Sequence, residues 1–323
     1  MIKTVFVRGG QVDVREGLAP DDQAASTVWI HAVTPSKEEL ESLRHAYGLD
    51  VTHPIEGIRE DADIIHIPAR LLTVAEGARP VLRRVRFLLG ERIVATLDEG
   101  PGSAAFDKAL QRLQHKPSLG ENPRALFRLI LQALNESGEQ LIDKISAGLT
   151  HDSAAITALS GTLQRHGKEV GVADLTDLIM RLNAKEELVS QCLERQLFLA
   201  RAARRLEGAI DDEREPVLAR LASELISDIE GVQQHAAHEH NRVYYLQEAL
   251  NASLNVKQNQ IVKIFTILSA IFMPPTLIAS IYGMNWVHMP ELGWNGGFLY
   301  SILFMFVSAV LPLVYIKRRG WLR

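Results

Sequence analysis

The sequence predicts an α+β membrane protein, in which an N-terminal α/β/α domain is followed by a very long helix and a second, C-terminal membrane helix. Residues 1 to about 100 contain short apolar runs typical of strands, and helical patterns replace them after Pro101. Charged residues are frequent up to Lys263, after which Glu291 is the only Asp, Glu, Lys or Arg before Lys317. The chain therefore divides into a polar part and an apolar part.

Composition limits the classes of function. The 323 residues carry a formal net charge of −4 and the polar part has no long basic tract, so a nucleic-acid partner is not expected. The single cysteine, Cys192, has no second cysteine in the chain with which to form a disulfide. The N-terminus alternates apolar and polar residues and lacks the features of a signal peptide. We therefore expect the polar part to stay in the cytoplasm.

The N-terminal domain, residues 1–215, is expected to contain one sheet flanked by helices. Strands are predicted at residues 4–7, 27–33, 63–74, 81–89 and 92–97, where Val, Ile and Leu are frequent. Ser36 and Glu39 form a capping-box pattern that begins a helix ending near Tyr47. Further helices are predicted at residues 104–113, 123–159 and 172–206.

A single long helix is predicted from residue 216 to residue 282. Gly231 is the only glycine in this stretch, and after its first residue no proline occurs before Pro274. At 1.5 Å per residue the helix would be on the order of 100 Å long. We interpret residues 216–263 as a cytoplasmic stalk and residues 264–282 as the first membrane helix.

Two uncharged segments, residues 264–282 and 298–316, are each close to the roughly 20 residues that span a bilayer core. The connecting residues 283–297 contain no Lys or Arg, whereas the tail, residues 317–323, is basic. The positive-inside rule predicts cytoplasmic termini and an outer loop. A buried hairpin in a soluble protein is the alternative, but it does not explain the charge asymmetry.

One face of the first membrane segment carries small or polar residues at alternating steps of three and four. This face, which we call the seam, comprises Asn259, Val262, Thr266, Ser269, Met273, Thr276, Ser280 and Gly283. The spacing is typical of a helix that packs against copies of itself. Polar groups in hydrocarbon are costly unless they face protein or water, so the seam is predicted to face other subunits or a pore. Helix packing through small residues alone is the alternative.

Neither predicted span contains Asp, Glu, Lys or Arg. Proton-coupled pumps normally need buried ionisable groups, whereas Mg²⁺ loses its water shell reluctantly and can be bound through that shell. The pattern favours passive passage of a hydrated ion.

Three motifs around the two spans resemble the CorA family of divalent-cation channels. They are Tyr282-Gly283-Met284-Asn285, Met289-Pro290-Glu291-Leu292 and Lys317-Arg318-Arg319-Gly320-Trp321-Leu322. The resemblance implies a funnel-shaped homopentamer in the bacterial inner (plasma) membrane that takes up Mg²⁺, with Co²⁺ and Ni²⁺ as further candidate ions. It implies a channel rather than an enzyme and no organic cofactor. The implied partners are other copies of the chain, divalent metal ions and the lipid bilayer.

The resemblance also implies roles for individual residues. Gly283, Met284 and Asn285 are expected at the outer pore mouth, where the Asn285 amide oxygens would accept hydrogen bonds from a hydrated cation. The family's pore positions match Asn259, Met273 and Thr276, and its inner hydrophobic constriction matches Phe265, one residue off the seam. The remaining expected pore-lining residues come from the seam itself, and they are Thr266, Ser269 and Ser280.

Acidic residues are expected to attract or sense cations. Glu291 in the outer loop would draw cations toward the mouth, with a solvated loop carboxylate as the alternative. In the family, intracellular Mg²⁺ binds acidic residues between cytoplasmic domains and favours the closed state. Glu224 and Glu248 occupy the matching stretch of the stalk, and an exposed charged helix face is the alternative.

Two rival functions remain open at this point. The first is a Zn²⁺ transporter of the same superfamily, with or without proton coupling. His235, His238 and His240 lie on the stalk, and the first two share a face at ligand spacing, although a solvated helix with chance histidines gives the same pattern. The second rival is a membrane-anchored enzyme or sensor without transport. Its sequence support is weak, because the stretch at residues 161–168 has a glycine spacing one residue too long for a phosphate-binding loop, and Glu169 replaces the required Ser or Thr.

Overall fold

The computed structural model describes residues 1–20, 25–49, 51, 57–61, 63–73, 81–100, 103–161, 164–165, 168–169, 172–284, 289 and 293–320. The α-helices in this part are α1 (Lys37–Tyr47), α2 (Ala104–His115), α3 (Pro123–Gly161), α4 (Val172–Glu207), α5 (Pro216–Tyr282) and α6 (Gly297–Arg318). A 3₁₀ helix, Pro117–Gly120, lies between α2 and α3. At the start of α1 the predicted capping box is confirmed, because the Glu39 N–H donates to Ser36 Oγ and the Ser36 N–H donates to the Glu39 carboxylate.

The sheet has more strands than the sequence predicted. Its strands are β1 (Ile2–Arg8), β2 (Gln11–Glu16), β3 (Thr27–Val33), β4 (Arg59–Asp61), β5 (Ile64–Thr73), β6 (Val81–Leu89) and β7 (Ile93–Asp98). They pair in the order β2-β1-β3-β7-β6-β5-β4, with β3 and β7 parallel. The expectation of five strands was therefore wrong. The omitted β2 follows β1 through Gly9 and Gly10, whose φ angles of 48° and 79° suit the tight hairpin turn. A short hairpin, β8 (Gln164–Arg165) and β9 (Lys168–Glu169), follows α3 in the chain.

Both faces of the sheet are buried, as expected for a sheet between layers of helices. Along β1, Val5 and Val7 face a core that contains residues of α2, α3, α4 and α5. Phe6 faces the opposite core, to which α1 contributes Leu43. Side chains alternate between the two faces of a strand, so the central strands β1, β3, β7 and β6 each supply apolar residues to both cores. The α/β/α arrangement follows from this double burial.

The chain forms two compact units. The first unit comprises Met1–Gly161 and Thr176–Gln247, and the second comprises Thr162–Leu175 and Glu248–Arg323. Helix α5 contributes to both. Helices α5 and α6 each contain a stretch long and apolar enough to cross a membrane. Helix α6 extends slightly beyond residues 298–316 at both ends.

Candidate functional site

The apolar part of α5 and most of α6 present large hydrophobic side chains on the surface of the single chain. Phe265, Phe272 and Leu277 on α5 are exposed, as are Phe298 and Leu299 on α6. None of the most apolar stretch of α5 is buried within the chain. A continuous apolar surface of this extent needs lipid or another protein to cover it. The exposure excludes a buried core hairpin, since such helices would be covered by the rest of the chain.

The seam lies on α5 and is open along its whole length. Every expected pore-lining residue is exposed in the single chain, and these residues are Asn259, Phe265, Thr266, Ser269, Met273, Thr276 and Ser280. A different stripe of α5 is partly covered, and it includes Lys263, Ile267, Ala270, Pro274 and Ile278. Its steps of three and four are those of one helix face. The seam is therefore not the face that the chain covers by itself.

Two threonine hydroxyls of the seam have their hydrogens directed into the helix. Thr266 Oγ1 donates to the Val262 carbonyl at 2.8 Å, and Thr276 Oγ1 donates to the Phe272 carbonyl at 2.7 Å. A hydroxyl has one donor hydrogen and two acceptor lone pairs. With the hydrogen used, each oxygen offers only acceptor capacity outward. Such an oxygen can accept hydrogen bonds from the water shell of a cation, because the hydrogens of those water molecules point away from the metal.

The adjacent prolines change the backbone near the outer part of the seam. Pro274 and Pro275 lie inside α5 and lack the N–H groups that would bond the carbonyls of Ala270 and Ile271. Carbonyls without a helical partner are tolerated at membrane depth only beside protein or water. The Pro-Pro pair is visible in the sequence, and the freed carbonyls are acceptors that the motif-based expectation did not include.

The C-terminal end of α5 lies at the start of the Gly-Met-Asn motif. The helix ends at Tyr282, the Gly283 N–H donates to the Ala279 carbonyl at 2.9 Å, and the Met284 N–H donates to the Ile281 carbonyl at 3.2 Å. Gly283 and Met284 thus form the closing turn of the helix. Asn285 and Glu291 lie outside the described residues.

The expected regulatory carboxylates are not brought together within one chain. Glu224 and Glu248 lie roughly seven helical turns apart on α5. Arg220 Nε lies 3.4 Å from Glu224 Oε1, and the field of Glu224 also acts on Arg128 of α3. Glu248 is exposed. Among the described residues there is no group of three or more His, Cys, Asp or Glu arranged to hold a metal ion.

The stalk histidines gather around a buried carboxylate. Glu239 is almost fully buried, and its Oε1 lies 3.7 Å from His235 Nε2 and 3.5 Å from His238 Nδ1. The same oxygen accepts a hydrogen bond from Ser146 Oγ of α3 at 3.0 Å. Arg242 approaches the other carboxylate oxygen at 3.4 Å. This arrangement is that of a helix–helix contact stabilised by polar groups rather than that of a zinc site.

Buried polar groups also stabilise the sheet. Asp98 at the end of β7 is fully buried, and its Oδ1 lies 2.9 Å from Arg83 NH1 and accepts the Gly100 N–H at 3.0 Å. Burial raises the pKa of the Asp98 carboxyl, while the Gly100 N–H and Arg83 act in the opposite direction. On β3, burial lowers the pKa of His31 to about 4, so this ring is neutral near neutral pH.

Comparisons with known proteins identify the family to which the chain belongs. The sequence profile described as "CorA-like Mg2+ transporter protein" matches residues 24–318. The chain belongs to the CorA family. Two relatives are both described as magnesium transport protein CorA. That of Haemophilus ducreyi is 29% identical over 315 residues, covering 93% of this chain and 94% of the relative. That of Escherichia coli K12 is 29% identical over 306 residues, covering 92% of each.

Solved structures extend the CorA likeness to the fold. The complete CorA magnesium transporter of Methanocaldococcus jannaschii has a TM-score of 0.75 at 17% identity, covering 99% of this chain and 98% of that one. The full-length CmaX protein has a TM-score of 0.70 at 17% identity, covering 99% and 97%. The ZntB cytoplasmic domain of Vibrio parahaemolyticus has a TM-score of 0.57 at 14% identity, covering 78% and 97%. The chain therefore has the CorA-like fold, with an N-terminal α/β domain, a long helix and a second apolar helix. The resemblance inferred from the three motifs is confirmed.

Proposed function

We propose that this chain assembles as a homopentamer in a bacterial inner membrane and forms a passive channel for Mg²⁺ uptake. The observation that carries the proposal is the seam of α5, a polar and small-residue face that lies open along an otherwise apolar helix. A polar stripe facing lipid is costly, and the cost disappears when copies of the helix surround water. The names of the curated relatives support Mg²⁺ as the ion.

Ion passage would preserve the water shell of the cation. The uncharged spans supply hydroxyl and thioether groups, of which the Thr266 and Thr276 oxygens are held as acceptors. Neutral acceptors bind the water shell of Mg²⁺ weakly enough to release it, whereas carboxylates at this depth would hold the ion. In this proposal Asn285 with Gly283 and Met284 selects the hydrated ion at the outer mouth, and Glu291 concentrates cations there.

The inner constriction is proposed at Phe265. Its ring is 65% exposed in the single chain, so it is available to meet the rings of other copies. An apolar ring constriction gates by excluding water from a narrow passage. Between Phe265 and the outer mouth, Ser269, Met273, Thr276 and Ser280 would line the pore.

Regulation by internal Mg²⁺ is proposed at the stalk. Glu224 and Glu248 lie far apart on one helix, so each would need groups from another copy to complete a Mg²⁺ site. Glu248 is the stronger candidate, because no ion pair to it occurs among the described residues. Glu224 is partly compensated by Arg220, which weakens its attraction for a further cation.

Reconstitution into liposomes tests the channel. Purified protein should pass Mg²⁺ down its gradient without nucleotide and without an imposed proton gradient. Ser269→Leu, which places an apolar branch on the seam, should abolish the flux, whereas Ile278→Leu on the partly covered stripe should retain it. Absence of flux from a folded oligomer, or equal flux from both variants, would contradict the proposal. Uptake of Co²⁺, Ni²⁺ and Zn²⁺, measured in parallel, ranks the ions. A proton-dependent preference for Zn²⁺ would change the proposed function from Mg²⁺ transport to Zn²⁺ transport.

A further inference from the structure

A basic pocket lies between α2 and α3 in the first unit. Its volume is about 560 Å³, and it is lined by residues of α2, the 3₁₀ helix and α3. Five of the lining residues are basic, and they are Lys108, Arg112, His115, Lys116 and Arg128. Within the part of the chain that the structure describes, no Asp or Glu lines it. A pocket of one charge sign with partly apolar walls concentrates ions of the opposite sign.

One basic residue of the pocket is already neutralised. Arg112 makes two 2.7 Å hydrogen bonds to the two carboxylate oxygens of Glu136. This bidentate pairing raises the pKa of the Arg112 guanidinium. The charge of Arg112 is thus satisfied within the chain, and the unmet positive charge comes from the other basic residues.

Arg128 is the residue whose charge is least satisfied. Its side chain is partly buried, its NH1 donates to Gln132 Oε1 at 3.1 Å, and its Nε is buried without a hydrogen-bond partner among the described residues. Burial lowers the pKa of the Arg128 guanidinium, and the more distant Glu224 opposes this effect only in part. A desolvated cation is stabilised by an anion that can also accept hydrogen bonds. Arg128 lines the pocket, so an anion in it would meet this need.

The other basic groups extend the site along α2. Lys108 Nζ has only a 3.3 Å contact to the neutral Gln140 Oε1. His115 Nδ1 donates to the Gln111 carbonyl at 2.8 Å, so this nitrogen is already used within the helix. Lys116, at the C-terminal end of α2, has no ion pair among the described residues. These groups are distributed along the pocket, which favours an anion with several charged oxygens.

We propose that the pocket between α2 and α3 binds a phosphate-bearing polyanion, with Arg128 and Lys116 as its principal ligands. A volume of about 560 Å³ far exceeds the roughly 30 Å³ of a water molecule and is in the range of small-molecule sites. It is large enough for a chain of several phosphoryl groups. Guanidinium and ammonium groups are the side chains that recognise phosphoryl oxygens. This inference does not depend on ion transport through the seam.

Calorimetric titration of the full-length protein in detergent tests the site. The probe is inorganic tripolyphosphate, added in the presence of EDTA and at constant ionic strength, so that removal of Mg²⁺ does not contribute. Orthophosphate should bind more weakly than tripolyphosphate. Arg128→Gln and Lys116→Gln should each weaken tripolyphosphate binding by about tenfold or more, since each removes a charged hydrogen bond. Lys144→Gln, on the exposed face of α3, is the matched control and should bind as the wild type does.

The outcomes separate binding from folding. Arg128→Lys keeps the charge and should bind with intermediate affinity, and Lys116→Gln alters an exposed helix end that folding does not require. Wild-type protein that binds tripolyphosphate no more tightly than orthophosphate would overturn the proposal, as would unchanged affinity in Arg128→Gln and Lys116→Gln. ADP tested at the same concentrations distinguishes sources. An affinity for ADP equal to that for tripolyphosphate assigns recognition to phosphoryl groups alone, and a higher affinity for ADP assigns the site to a nucleotide. Both results support the proposal.

Discussion

Acidification should weaken the sheet domain through one buried side chain, His31 on β3. His31 Nδ1 lies 2.7 Å from the Thr96 hydroxyl, which accepts a hydrogen bond from Trp29 Nε1 at 3.2 Å. The ring is buried, so its charged form loses the hydration that it has in the unfolded chain. The folded structure therefore favours neutral His31.

The size of the effect follows from the two pKa values. Burial lowers the pKa of His31 from 6.5 to about 4, and the opposing attraction of Asp107 is smaller. As the pH falls below 6.5, the unfolded chain binds a proton that the folded chain excludes until about pH 4. Stability is thus fully present above pH 6.5 and is lost as the pH falls toward 4. At about 1.4 kcal/mol per pH unit, the loss reaches about 3 kcal/mol per chain.

Denaturant unfolding followed by tryptophan fluorescence measures this loss. The Trp29 ring centroid lies 6.0 Å from that of His31, so its emission reports on the same part of the sheet. The free energy of unfolding of wild-type protein should fall between neutral pH and about pH 4 by about 3 kcal/mol more than that of His31→Gln. His45→Gln, an exposed histidine on α1, is the control and should follow the wild type. Equal pH slopes for the wild type and His31→Gln would refute the reasoning.

Three further predictions concern the seam, the sheet and the stalk. Thr276→Val should lower Mg²⁺ flux about fivefold and Thr276→Ser should not, because a neutral hydrogen bond contributes about 1 kcal/mol; unchanged flux in the valine variant would remove the hydroxyl from the ion path. Arg83→Met should lower the free energy of unfolding by about 3–5 kcal/mol, since it leaves the buried Asp98 carboxylate unpaired. Adding Asp98→Asn should restore most of that stability, and a further loss would argue against the pairing. Glu248→Gln should reduce the inhibition of flux by internal Mg²⁺ more than Glu224→Gln does, and unaltered inhibition in both variants would exclude a sensing role.

The sequence was sufficient where one local property dominates. In helices α5 and α6 no strong helix breaker occurs before the internal prolines. The loss of charged residues after Lys263 marks the membrane part. The seam is also local, because residues three and four apart share a helix face whatever surrounds them. By contrast, the alternation of polar and apolar residues in β2 predicts a strand only when Gly9 and Gly10 are recognised as the turn of a hairpin.

Tertiary structure decided the features that depend on residues far apart in the chain. The strand β4, Arg-Glu-Asp, has no apolar pattern and exists because β5 provides a paired edge. No local signal shows that β3 lies parallel to β7. Likewise, only the packing of α3 against α5 buries Glu239 beside His235 and His238 and gives it Ser146 Oγ as a hydrogen-bond donor.

The same distinction between sequence and tertiary structure applies to the charged residues. The sequence alone determined that the chain has an uncharged membrane helix that carries the seam and is followed by Gly-Met-Asn. Hydropathy, charge and helical period can all be evaluated from residues that are neighbours in the sequence. The sequence did not determine which charges are compensated, since ion pairing acts through space. Only the fold brings Arg128 of α3 into the field of Glu224 of α5 and leaves Arg128 partly buried in a basic pocket.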